Sequence, residues 1–198
     1  RRKHDRMKAP RILVIPSWYP SDVNPLAGTH YQEQAALLAE DCDLRVLVAR
    51  SNLAGFRTAW RRWRWVAWPG RARITAATQS PAGERPTTFR VEYHRRWTTE
   101  AKALAAAIDA HAQILGGWLR DGWQPDAIHA HCAKDAGIIG WALARRFGIP
   151  LLITEHQVFT FTPYSALRRR LILEALNGAD QVTAVSNHQL RCLYLQGV

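Results

Sequence analysis

The sequence is poor in cysteine: Cys42, Cys132 and Cys192 are odd in number and show no CxxC spacing. That argues against a disulfide framework and a cysteine-built zinc site, and it fits a reducing compartment. No run approaches the roughly 18 to 20 apolar residues of a membrane-spanning helix, so the chain is expected to be soluble or peripheral. The basic start, Arg1 to Arg6, leads into no apolar signal region, and residues 1–10 read as a disordered basic leader. Neither GxGxxG nor a Walker phosphate loop occurs, which removes the usual sequence support for an NAD enzyme or an ATPase. Acids are also scarce. With 27 Lys and Arg against 16 Asp and Glu, the net charge is +11 and the surface should attract phosphates, acidic polymers or anionic head groups.

What is present alternates between strand and helix. Arg11 to Pro16 is a nearly continuous apolar run of the kind found in a central parallel strand covered on both faces. A Pro-, Asn- and Gly-rich loop follows to Gly28, and Thr29 opens a helical stretch to Glu40. Leu44 to Ala49 and Phe89 to His94 alternate like strands, whereas Ser51 to Arg90 shows no regular period ahead of the second of these. A long helix starts near Thr98 or Thr99 and carries Leu104, Ile108, Leu115 and Leu119 on one side before Gly122. Then come an apolar run ending in His129, Ala130 and His131, a helix, a second run from Leu151 to His156, a helix ended by Asn177 and Gly178, and a sixth strand, Gln181 to Ser186. Such alternation predicts one α/β domain over residues 11–198, a Rossmann-like doubly wound parallel sheet with right-handed crossovers.

Parallel sheets bind ligands beyond the carboxyl ends of their strands. By that rule Ser17, Trp18, Gly28, Thr29, His131, Glu155, His156 and Ser186 belong to one rim. His129 is expected on the opposite face from His131, as a core histidine. Glu155 and His156 read equally as a site or as a hydrogen-bonded loop anchor, because adjacent titratable groups ending an apolar strand need partners. Lys134 and Asp135 lie near enough to reach a ligand, and Ser186 reads also as a helix cap.

Seven segments together carry a resemblance: Ile12 to Pro20, Gly28, Gln32 to Ala35, Pro125 to His131, Gly148 to Pro150, Thr154 to His156 and Ala179 to Ser186. In this order and spacing the chain resembles the N-terminal domain of the group-one (family four) glycosyltransferases of the GT-B fold. The resemblance implies a retaining transfer from a nucleotide-sugar donor to a glycan or lipid-linked acceptor, with no metal or other cofactor. It implies that this chain is the acceptor-side lobe and that a C-terminal lobe with a paired-glutamate motif completes the enzyme, so the chain alone is expected to be inactive. Gly28 and Thr29 match the donor-phosphate loop, where helix N–H groups favour an anion; the alternative is an ordinary turn and cap. His131 matches a histidine facing the acceptor and the transferred sugar, the position proposed as catalytic.

Between Arg57 and Arg96 stand ten arginines against Glu84 and Glu92. Trp60, Arg61, Arg62, Trp63, Arg64 and Trp65 suit an anionic membrane surface, with indoles at head-group depth, or else a variable insertion packed on the domain. The resulting expectation is a cytoplasmic enzyme, peripheral on the inner face of the cell membrane, in cell-envelope or exopolysaccharide synthesis. The alternative is a non-catalytic single lobe binding anionic glycan or lipid head groups. Nucleic acid is not an expected partner, as no nucleic-acid module is present.

Overall fold

The computed structural model describes residues 9–53, 72–95, 99–157 and 160–198. In chain order the elements are β1 (Arg11–Pro16), α1 (Thr29–Leu38), β2 (Asp43–Leu53), β3 (Arg73–Gln79), β4 (Thr87–Arg95), α2 (Glu100–Arg120) and β5 (Ala127–His131). A single π-turn, Ala133–Gly137, then leads into α3 (Ile138–Phe147), β6 (Leu151–Glu155), α4 (Ala166–Asn177), β7 (Gln181–Ala184) and α5 (Asn187–Leu195).

One sheet takes the order β3-β4-β2-β1-β5-β6-β7. All neighbours run parallel except β3, which is antiparallel to β4. The parallel part therefore winds outward in both directions from β1, and its switch point lies between β1 and β5. Residues of β1 divide between two cores. Leu13 and Ile15 join Leu115, Ile128, Leu143 and Ile153 in the large cluster under α2, α3 and α4, while Val14 packs with Tyr31, Ala35 and Val46 under α1. This is the two-faced burial that the unbroken apolar run of β1 predicts.

The strand β3 is a correction, because Ser51 to Arg90 carries no visible period. Its residues are mostly exposed, so no alternation of apolar and polar side chains marks it. Backbone pairing with β4, from Arg73 opposite His94 to Gln79 opposite Phe89, holds it instead. The strands β2 and β4 also run longer than their apolar cores suggest, for the same reason: they pair from Arg45 opposite Thr87 to Leu53 opposite Arg95. The Trp- and Arg-rich segment with Trp60, Arg61, Arg62, Trp63, Arg64 and Trp65 lies outside the described residues, as does the leader up to residue 8.

A part-buried arginine ties the helical layer to the π-turn. Arg168 of α4 donates through Nε to Glu100 at the start of α2 (2.7 Å) and through Nη1 to the Lys134 carbonyl (2.9 Å) and Asp135 (2.5 Å). Its side chain is 19% exposed, so Arg168 belongs to this network and not to a solvated basic face. Arg170 instead pairs with Glu174 one helical turn away.

Candidate functional site

The loop after β1 is closed at its base. Gly28 stands at φ 73°, and a Cβ added there would lie 2.5 Å from the Trp18 carbonyl oxygen, so both the backbone angle and the close approach require glycine. It is the residue before the first turn of α1, and no side chain caps that end. The amides of Tyr31 and Gln32 turn back to the Gly28 carbonyl. Thr29, expected to open the helix, does so as its first residue.

Across the switch point, the Ser17 amide donates to the His131 carbonyl (3.2 Å), and Ser17 Oγ accepts from the Ala136 amide (3.2 Å). Trp18 carries the Lys134 ammonium over its ring at 4.3 Å and stacks toward Tyr31. Tyr31 is the hub on this side. Its ring lies 4.9 Å from that of His131, 4.8 Å from His156 and 3.9 Å from His30, while its hydroxyl meets Cys132 Sγ at 3.1 Å. Cys132 leaves β5 at φ 70°, an unusual angle for a residue with a side chain. Burial, helped by the charge of Glu155, pushes its thiol up to about 12, so it is no thiolate nucleophile at neutral pH.

The histidines gather more closely than expected. His129 does not point away from His131: residues two apart on a strand share a face, and the two rings stand 4.1 Å apart. His129 Nε2 meets Thr154 Oγ1 at 2.8 Å, and Thr154 Oγ1 meets Thr183 Oγ1 at 2.8 Å, a polar row across β5, β6 and β7. His131 is only 1% exposed, and its Nδ1 meets His156 Nε2 at 3.0 Å. Burial first, and neighbouring imidazoles second, hold His131 down to about 2, His129 to about 4 and His156 to about 4. At neutral pH the pair is therefore uncharged, with one ring donating the shared hydrogen bond and the other accepting it.

Glu155 anchors this arrangement. Its carboxylate is 2% exposed and accepts from the amides of Ala133 (2.9 Å), His156 (3.0 Å) and Gln157 (3.0 Å). That is loop-anchor geometry. His156, the next residue, faces the histidine cluster, and its carbonyl accepts from Gln189 Nε2 at 2.8 Å. Ser186 caps α5 by accepting from the Gln189 amide (3.2 Å). Asp135 is engaged by Arg168.

On the other side of the loop a cavity of about 490 Å³ opens at the carboxyl ends of β1, β2 and β4. Ser17, Trp18, Asn24, Arg50 and Asp135 border it, and His111 of α2 lines it with Leu104 and Ala107. Sequence reasoning placed Ser17 and Trp18 at the rim but missed His111, which hides within the buried stripe of a long helix. Tyr31 and His30 were missed too. An aromatic pair opening the helix after a glycine loop was the available signal. Among the described residues no group of His, Cys, Asp and Glu has the geometry to hold a metal ion, and no helix is long and apolar enough to cross a membrane.

A single lobe of the GT-B glycosyltransferase architecture is the class this sheet order and rim define. Two solved structures agree in fold: an E. coli structure described as trehalose-6-phosphate bound with UDP-2-fluoro glucose (11% identity, TM-score 0.52, 93% of this chain) and the N-terminal domain of Candida albicans trehalose-6-phosphate phosphatase (15%, 0.53, 95%). The chain spans 43% of the length of each. No curated relative matches it at a significant level. The family model for glycosyltransferase family 4 matches residues 27–197, and the chain belongs to that family.

Two outcomes test this description. The folded chain refuses protons at His111, His129, His131 and His156 that the unfolded chain accepts below about pH 6.5. Stability is thus fully present above that pH and falls as pH drops toward 4, by about 1.4 kcal/mol per pH unit for each fully suppressed proton. Urea unfolding at a series of pH values should show this slope, reduced by roughly one proton in His131→Phe. Glu155→Gln replaces one carboxylate oxygen by an NH2 group, which leaves either the buried Ala133 amide or the part-buried His156 and Gln157 amides facing a donor, and should cost about 2 kcal/mol in the same assay; an unchanged midpoint would remove the anchor role.

Proposed function

We propose that this chain is the acceptor-side lobe of a retaining glycosyltransferase. The enzyme moves a sugar from a nucleotide-sugar donor to a glycan or lipid-linked acceptor in cell-envelope or exopolysaccharide synthesis. The carrying observation is the convergence at the β1–β5 switch point of a glycine-headed helix N-terminus with the His131–His156 pair. Helix N–H groups and dipole suit the diphosphate of a donor, and Gly28, by admitting the Trp18 carbonyl where a Cβ would stand, fixes the loop that leads into that helix end.

The histidine pair offers neutral hydrogen-bonding nitrogens beside that anion site, where a positive imidazolium is disfavoured by burial. A neutral ring suits a role in directing an acceptor hydroxyl toward the anomeric carbon. His131 is enclosed by Tyr31 and His156, while His156 is half-buried, so the pair reaches the rim through His156. His131 then holds the His156 ring, and both belong to the reacting side of the cleft. The other side, with the grip on most of the nucleotide sugar, is assigned to a C-terminal lobe. No metal enters this scheme, and location is cytoplasmic at the inner face of the membrane, favoured by the net charge of +11.

The test uses the full-length gene product, which should carry a second α/β lobe and release nucleotide from a nucleotide sugar only when acceptor is supplied. His131→Ala and His156→Ala should each lower that turnover at least about 100-fold, the usual scale for a directing acid–base group. Near-wild-type turnover in both would return the pair to a structural role, and a gene product without a second lobe would defeat the enzyme reading.

A further inference from the structure

The cavity beside the β1 loop is lined by a histidine whose state the helix itself determines. His111 is 3% exposed, and its Nδ1 lies 2.8 Å from the carbonyl oxygen of Ala107, one turn earlier in α2. A carbonyl can only accept, so Nδ1 must carry the hydrogen. Burial holds the ring down to about 4, so it is neutral at physiological pH. A neutral imidazole protonated at Nδ1 has a bare Nε2, an acceptor and nothing else. Among the described residues no donor meets that nitrogen.

The surroundings give the cavity two chemistries. Its inner wall is apolar, built by Ile15, Leu104, Ala107 and Ile139, with the His111 ring among them. Its mouth is polar, with Ser17, Ser51, Asn24 and Arg50. Ser17 Oγ already accepts from the Ala136 amide, so its own hydrogen remains to be donated. A pyranose ring has the matching character: apolar C–H faces with hydroxyls at the edge that donate and accept. A purely apolar ligand would leave the mouth unmatched, and a strongly anionic one would meet a bare lone pair in the interior.

We propose that this cavity is a saccharide subsite for the acceptor and that His111 is a specificity residue inside it, accepting a hydrogen bond at Nε2 from a ring hydroxyl. The proposal rests on the acceptor-lobe reading above. A buried acceptor of this kind discriminates strongly, since an analogue lacking the hydroxyl strands it without a donor. Within the acceptor, the hydroxyl held by His111 is not the one that reacts: the ring sits on α2, away from the His131–His156 pair across the sheet.

The test uses the full-length protein labelled with 15N in its imidazole rings and titrated with the methyl glycosides of glucose, galactose, mannose and N-acetylglucosamine. The His111 nitrogens are assigned by their loss in His111→Leu. At least one glycoside should bind saturably and move the Nε2 resonance away from the free-imine position while leaving Nδ1 in place. Its matching deoxy analogue and the His111→Leu variant should each weaken binding at least 10-fold, and His111→Asn, which keeps an acceptor, should recover part of the loss. If His111→Leu folds poorly, the loss of the same resonances in His111→Asn supplies the assignment, and the Nε2 shift in the wild type carries the test. Absence of saturable binding by all four, an unmoved Nε2, or wild-type affinity in a folded His111→Leu would each overturn the proposal. Nucleotide release from UDP-glucose and related donors, measured on the same protein, separates the two readings. Turnover without an effect at His111 sinks only the subsite, whereas glycoside binding at His111 without any turnover sinks the transferase reading and with it the acceptor role of the cavity, leaving a bare saccharide site.

Discussion

Three backbone amides converge on the Glu155 carboxylate, and the shape of the rim depends on that contact. One amide comes from Ala133, just after β5, and two come from His156 and Gln157, just after β6. The carboxylate is buried, so only satisfied lone pairs make it tolerable. Two neighbouring strand ends are thereby drawn to one point. The π-turn that opens at Ala133 then aims Lys134 at Trp18 and Asp135 at Arg168, and the turn after β6 sets His156 against His131. An anionic group performs this at the heart of a cationic protein because it faces amides and not other carboxylates.

Much of the sheet was legible because buried parallel strands are written as apolar runs, and β1, β5 and β6 are such runs. The edge strand β3 was not, since it buries almost nothing and is held by main-chain pairing that leaves no trace in side-chain pattern. Rim residues could be picked by position along each strand, which placed Ser17, Gly28, His131 and His156 correctly at strand and loop ends. Roles within the rim were harder. His129 was assigned to the wrong face although a spacing of two on a strand puts it beside His131, an error of parity and not of missing information. Glu155 reads from the sequence as either site or anchor, and the three amide partners that give it anchor geometry come from two different strand ends. Tyr31 and His111 could not be weighed from the sequence, because their meaning comes from partners 101 residues away in one case and from a cavity wall in the other.

The two faces of the sheet divide the labour of the site. On the α1 side a polar row of histidines and threonines replaces the apolar packing expected of a doubly wound sheet, and burial keeps its imidazoles neutral. On the α2 side the core stays apolar up to the cavity, where His111 is the exception. Charge is kept to the margins and to Glu155, so hydrogen bonds between neutral groups carry the interior polar chemistry. Such an interior depends on hydrogen-bond geometry more than on field strength.

The pinched base of the β1 loop has a bearing on how this lobe can diversify. Because Gly28 presses against the Trp18 carbonyl, the two ends of the loop are clamped independently of what lies between them. Between the clamps, Val23 and Leu26 stand 91% and 81% exposed, Val23 at the border of the cavity. Lengthening or rewriting that tip costs little closure entropy and leaves the scaffold untouched. The tip is a replaceable cassette at the mouth of the cavity, and a lineage of such lobes can reshape that mouth by rewriting a handful of positions while the clamp stays the same.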